Sequence, residues 1–328
     1  MPTPFTIRAV RRARAAIGLL IAATVVLASP SSSVGQTSSR IRHRLNVAPF
    51  DPINPRGPYL GQRPPGTIPE VFAPGFISSA EEEYAICFSM DGNEIYFSRY
   101  TETDDSNTLW VTRQEGGVWT FPVKAEFTGP YFNIEAFITR DNARMYFISL
   151  RGGGATNIQL WTMSRAAGGW SVPTRLAQPF SNNIKMYPTV ATNGNLYFTE
   201  VVNDLGRFYM ARNNGGTFAT PLPLSPTINA FGSMDHAFVG PDESYLVFDA
   251  APNAPANRDK NIYVSFKGNA GDWLTPQPLT SNVNATAREY CPTISPDGKY
   301  LFFARRNGEN DDIWWVDASV VFDLRPAS

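Results

Sequence analysis

Apolar residues along this chain fall in short runs separated by polar turns, and none recurs at helical spacing over any useful length. About every 50 residues the same succession returns: a turn built on Asp or Asn, an aromatic strand, a polar loop, a second aromatic strand, then Trp or Phe followed by Pro. The best copy is Ser295-Pro296-Asp297-Gly298 before Tyr300, Leu301, Phe302 and Phe303. Four others match it: Ser89-Met90-Asp91-Gly92, Thr139-Arg140-Asp141-Asn142, Ala191-Thr192-Asn193-Gly194 and Gly240-Pro241-Asp242-Glu243. Ser, Pro, Asp and Gly in that order suit the four positions of a type I turn, and Glu243 is the poor fit in the last place.

Each turn is followed at a distance by a second strand, Leu109-Trp110-Val111, Leu160-Trp161-Thr162, Phe208-Tyr209-Met210, Ile262-Tyr263-Val264 and Ile313-Trp314-Trp315. Trp119 with Pro122, Trp170 with Pro173, Phe218 with Pro221 and Trp273 with Pro276 then close four of the units. Proline lacks the N–H a central strand needs, so this last strand is expected at the sheet edge. Counting the strand that enters each turn, the unit is a four-stranded antiparallel blade. The chain is therefore expected to be all-β, a five-bladed propeller over residues 66–328, with six blades as the alternative count. The fifth unit lacks its outer strand. Ile68-Pro69-Glu70-Val71-Phe72 reads like Val172-Pro173-Thr174-Arg175-Leu176 and is expected to fill the gap, closing the ring and removing its open edges. The tail after Val316 is expected to form a short helix capped by Asp317 or Ser319.

The Ser-Pro-Asp-Gly turn, the aromatic run behind it and the Ile-Trp strand resemble the WD40-like repeats of bacterial envelope proteins, the TolB-type β-propellers. The resemblance implies the same fold and leaves the activity open, since such propellers serve as binding platforms, enzyme scaffolds and accessory domains.

Aromatic residues at 13%, with 25 Gly and 27 Pro, agree with many short strands and turns. At the N-terminus Arg8, Arg11, Arg12 and Arg14 precede an apolar stretch from Ala15 to Ala28, and residues 1–36 read as a cleavable signal peptide. The chain is expected in the periplasm or outside the cell, with no insertion in the membrane once the leader is removed. Losing those four arginines moves the formal net charge from −1 to −5, which speaks against nucleic acid as a partner. Residues 37–65, with Pro52, Pro55, Pro58, Pro64 and Pro65, read as a disordered tether. A monomer is expected. Cys87 and Cys291 both lie on strands that enter a turn; a disulfide locking the ring and two buried thiols are the alternatives, and their unequal offsets from the turn favour the thiols.

The Asp turns are tight and alike, whereas the loops between second and third strands, near residues 99–108, 150–157, 249–261 and 305–312, are longer and unlike one another. A binding surface is expected on that loop face. There the strands entering the turns carry Glu83, Asn133, Lys185 and Glu289, then Glu135, Tyr187 and His236 with Asp235 beside it. Ligand binding is expected at His236, Glu135, Lys185, Tyr187, Glu83 and Glu289. The alternative role for the acids is capping backbone amides. No Gly-x-Ser-x-Gly elbow, metal spacing or phosphate loop occurs, so neither a cofactor nor a metal is expected. A structural calcium at Asp104-Asp105 or residues 309–312 is the weaker alternative, since these acids lack the oxygen spacing of a dedicated site and read as solvated. Two functions follow: a non-enzymatic exported propeller binding an envelope protein or glycan, or a glycosidase-like enzyme drawing its acid and base from Glu83, Glu135, Asp235 and Glu289.

Overall fold

A computed structural model describes residues 50–152, 158–180, 182–252, 260–286, 288–308 and 310–327. The expected leader, the first part of the tether and the centres of two rim loops lie outside them. The chain is a five-bladed β-propeller of small antiparallel sheets set in a ring. The innermost strands are Glu82–Phe88, Asn133–Ile138, Lys185–Val190, Ser233–Val239 and Glu289–Ile294, in blades one to five. Each blade runs outward through two longer strands to a two-residue edge strand. Val123–Lys124, Thr174–Arg175, Leu222–Pro223 and Gln277–Pro278 are those edges, beside or at the prolines that forecast them.

Blade five is completed by Glu70–Val71, which pairs antiparallel with Trp315 and Trp314. Phe72 continues the pairing through its N–H to the Ile313 carbonyl at 2.8 Å. Its ring then packs edge-on against Phe302 and Trp315, at 5.0 and 5.2 Å. The N-terminal and C-terminal parts of the propeller are thereby joined by backbone and by core.

Residues 50–65 differ from the expected tether. Pro58–Gly61 forms a 3-10 turn, Leu60 is buried, and Tyr59 packs on Tyr300 and Trp315 while its hydroxyl donates to Asp297 at 2.8 Å. Trp119 donates its indole N–H to the Gly57 carbonyl. Two apolar residues among the prolines are enough to dock the segment, because proline lowers the entropy lost on ordering. The C-terminal helix is Ser319–Phe322, and Asp317 accepts the Ser319 N–H at 2.8 Å.

The turns follow the expected chemistry. Ser89 and Ser295 each donate to the Asp two places on, at 2.6 and 2.7 Å, and accept two backbone N–H groups beyond it. Glu243 adopts a left-handed φ of 59°, at the place that Gly takes in three of the other turns and Asn142 in the fourth. Its carboxylate accepts from Asn195 and the Tyr197 hydroxyl of the neighbouring blade, at 2.8 and 2.9 Å, which offsets the strain.

Candidate functional site

At the loop-face rim, the first or second residue of the inner strand in blades one, two, three and five pairs across to the second strand. Glu83 meets Arg99 at 2.7 Å, Asn133 meets Ser149 at 3.0 Å, Lys185 meets Glu200 at 3.3 Å and Glu289 meets Arg305 at 3.2 Å. Glu83 also accepts the N–H and hydroxyl of Ser79, and Glu289 those of Thr286. Arg99 and Arg305 lie over Trp110 and Trp314, at 4.4 and 4.7 Å. These four rim residues are fully buried. Burial pushes the Glu83 carboxyl up to about 7, with Ser79 and Arg99 acting against it. The same position in blades one, two, three and five thus holds a buried cross-strand pair, which fastens those inner strands at their loop ends.

Further along, every inner strand carries a bulge, shown by register shifts after Tyr84, Ile134, Met186, Met234 and Tyr290. In four blades the first bulged residue has a left-handed φ: Ala85 at 50°, Glu135 at 58°, Tyr187 at 48° and Cys291 at 52°. A bulge takes its residue out of the ladder and re-aims the side chain. The released N–H groups are caught by side chains of the preceding blade. Glu135 donates to Ser98 at 2.9 Å, Tyr187 to the Glu135 carboxylate at 2.7 Å and Cys291 to Asp249 at 3.3 Å. In blade four, where the inner strand has one residue more between bulge and turn, Thr199 donates to the Asp235 carbonyl instead. A chain of staples therefore runs from blade to blade along the channel wall.

Side chains from these bulges and their neighbours meet around His236. Its Nδ1 lies 2.7 Å from Asp249 Oδ1 and its Nε2 3.5 Å from Glu135 Oε1. The Tyr187 ring stands edge-on to the imidazole at 5.1 Å, Tyr290 follows at 6.0 Å, and Tyr84 lies 6.0 Å beyond Tyr290. All five blades contribute to this plug. Burial works against an imidazolium here, but the Asp249 carboxylate outweighs it and holds His236 well above its ordinary value. Burial pushes the Cys291 thiol up to about 12. Above the plug, Lys260 Nζ contacts Asp235, and Arg288 lies 3.6 Å from Asp311 with its guanidinium over the Tyr290 ring. Burial opposes the Asp235 carboxylate, yet Lys260 and then His236 hold it below the usual range.

Of the residues expected at the site, the structure brings together Glu135, Tyr187, His236 and Asp235. Glu83, Lys185 and Glu289 are instead committed to rim pairs. The capping alternative describes Glu83 and Glu289 as they stand, bonded to Ser79 and Thr286. Cys87 and Cys291 are free buried thiols. Reasoning from the sequence missed Asp249, Lys260, Arg288, Asp311 and the placement of Cys291 at the centre. One signal was present: counted back from its turn, Cys291 occupies the same fourth position as Glu135, Tyr187 and His236.

No family model and no curated protein matches the sequence. Among solved structures, the chain is similar to the endo-arabinase from Bacteroides thetaiotaomicron VPI-5482, with a TM-score of 0.52 at 12% identity over 74% of this chain and 96% of that one. A thermostable family-43 glycoside hydrolase gives 0.50 at 12% identity, over 72% and 89%. TolB from Acinetobacter baumannii gives 0.48 at 14% identity over 75% of this chain, which spans 54% of that chain. At these identities the likeness is one of fold.

Proposed function

We propose that the protein is an exported, non-enzymatic binding propeller that takes a protein or glycan partner at the loop-face mouth of its channel. The observation that carries this reading is the pairing of the acids around the channel. Glu83 and Glu289 are held by arginines, Asp235 by Lys260, Asp311 by Tyr290 and Arg288, and Glu135 and Asp249 share His236. A glycosidase needs two carboxyl groups on either side of a bond in an open cleft, one of them free to take up and release a proton. Glu135 and Asp249 are 2% and 0% exposed, beyond reach of a sugar ring.

What a partner can reach lies higher. The Asp235 and Arg288 side chains keep 28% and 32% of their surface, one of each sign, on a rigid wall of strands. Such a pair suits hydrogen bonding to hydroxyls or to a peptide backbone without demanding a charged ligand. Export rests on the leader, and the mature chain is expected to begin between residues 31 and 37. N-terminal sequencing of protein recovered from the cell tests that part. The binding part is tested by a glycan array and envelope-extract capture, run beside hydrolysis assays on aryl glycosides. Capture without hydrolysis supports the reading, and turnover that is lost in Glu135→Gln replaces it with the glycosidase.

A further inference from the structure

The carboxylate of Glu135, the imidazole of His236 and the thiol of Cys291 come from three different blades, and their donor atoms lie within 4.8 Å of one another. All three residues are buried, at 2%, 7% and 1% exposure. Glu135 and Cys291 are placed there by left-handed backbone, a conformation that non-glycine residues keep only where the surroundings enforce it.

From this geometry we propose that the channel centre is a binding site for one divalent transition metal of the zinc class, held by Glu135, His236 Nε2 and the Cys291 thiolate.

Two observations carry the assignment. First, the donors around a tetrahedral zinc stand about 3.3 to 3.8 Å apart, given metal–ligand distances near 2.0 Å for N and O and 2.3 Å for S. The Nε2 to Oε1 separation is already 3.5 Å, too long for a good hydrogen bond but right for two ligands of one ion. Second, His236 is oriented as a metal-ligating histidine is. Nδ1 faces the Asp249 carboxylate at 2.7 Å, which keeps a proton on Nδ1 and aims Nε2 at Glu135, so Nε2 is the nitrogen a metal would take once its own proton leaves.

The mixture of one thiolate, one imidazole and one carboxylate selects zinc, or cobalt in its place, over calcium and magnesium, which want oxygen ligands alone. Binding releases the Cys291 thiol proton to water, and a second proton where His236 enters as imidazolium. Nothing is oxidised or reduced. Three protein donors leave a fourth position for water. The site does not depend on what the mouth captures: a chain that takes up metal yet binds no glycan leaves it standing, and the reverse outcome removes it alone.

The test uses the full-length chain expressed with its leader, purified without an affinity tag and stripped with chelator. Cobalt(II) is then titrated in and the thiolate-to-cobalt charge-transfer band recorded, with zinc affinity measured by competition against a chromogenic chelator. One metal per chain and a thiolate band in the wild type are expected. Asp249→Asn should weaken zinc binding roughly 10- to 100-fold. Cys291→Ser should weaken it further and abolish the band, and Cys87→Ser should leave both unchanged. Should Cys291→Ser fail to fold, the wild-type spectrum and Glu135→Gln decide, the latter keeping the band with weaker affinity. A wild-type chain without retained metal or without the thiolate band overturns the site, as does a band that survives in Cys291→Ser.

Discussion

His236 Nδ1 and Asp249 Oδ1 stand 2.7 Å apart in the closed centre of the ring, and the same oxygen takes the Cys291 N–H at 3.3 Å. One carboxylate therefore orients the imidazole within blade four and ties that blade to blade five. Removing one partner of such a buried pair leaves the other without compensation. Asp249→Ala should lower the unfolding free energy by about 3 to 5 kcal/mol. In a double-mutant cycle with His236→Gln the two losses should overlap by about 2 kcal/mol. Urea unfolding of the four proteins measures this, and strictly additive losses would show that the contact has no energetic weight.

The same pair sets a pH dependence in the metal-free protein. The imidazole faces Asp249, Glu135, Tyr187, Tyr290 and Cys291, with Asp235 and Lys260 at the next distance. Its folded pKa lies well above the unfolded value of about 6.5, so the native state holds the proton more tightly. That contribution to stability is complete below about pH 6.5 and is lost as pH rises through the folded pKa. Urea midpoints should fall over that alkaline range, and His236→Gln should flatten the profile. An unchanged slope in the variant would remove His236 as its source.

Ala85 offers a test of the bulge strain with no functional group involved. It is buried at a φ of 50°, where its Cβ is disfavoured. Replacing a strand alanine with glycine is ordinarily destabilising. Here Ala85→Gly should instead be neutral or stabilising, by up to about 1 kcal/mol, because glycine relieves the left-handed strain. A clear loss in thermal or urea unfolding would mean that the packing of this methyl group outweighs its backbone.

Deleting residues 66–75 should expose the third strand of blade five and remove Phe72 from the core. A buried phenylalanine is worth about 2 to 3 kcal/mol, and an open strand edge templates association. Size-exclusion chromatography is expected to show aggregates. A monomeric deletion variant with unchanged melting would contradict closure by the N-terminal strand.

The ring was legible in the sequence because its punctuation repeats. Asp turns, aromatic runs and Pro edges follow from backbone conformations that each blade needs, and even the closing strand could be found from Ile68-Pro69 matching Val172-Pro173. The docked segment 50–65 was hidden, because a Pro-rich stretch looks extended whether or not Tyr59 and Leu60 find a surface. The centre was legible only in part. His236, Glu135 and Tyr187 stood out as polar residues at one repeat position, but the buried rim pairs made Glu83, Glu289 and Lys185 look alike. Asp249 was masked by its place in a strand beside Phe248, where only the register across blades reveals that Ser98 and Thr199 do the same stapling.

The most direct measurement is partner capture, on a glycan array and from envelope extract, by three folded proteins compared at equal concentration. They are the wild type, Asp235→Ala/Arg288→Ala at the loop-face mouth, and Asp91→Asn/Asp141→Asn on the turn face. The mouth variant should lose at least about tenfold in apparent affinity, since both part-exposed polar anchors are gone, while the turn-face variant keeps wild-type binding. Wild-type protein that captures nothing, or a loss confined to the turn-face variant with the fold intact by circular dichroism, would contradict a binding site at the channel mouth.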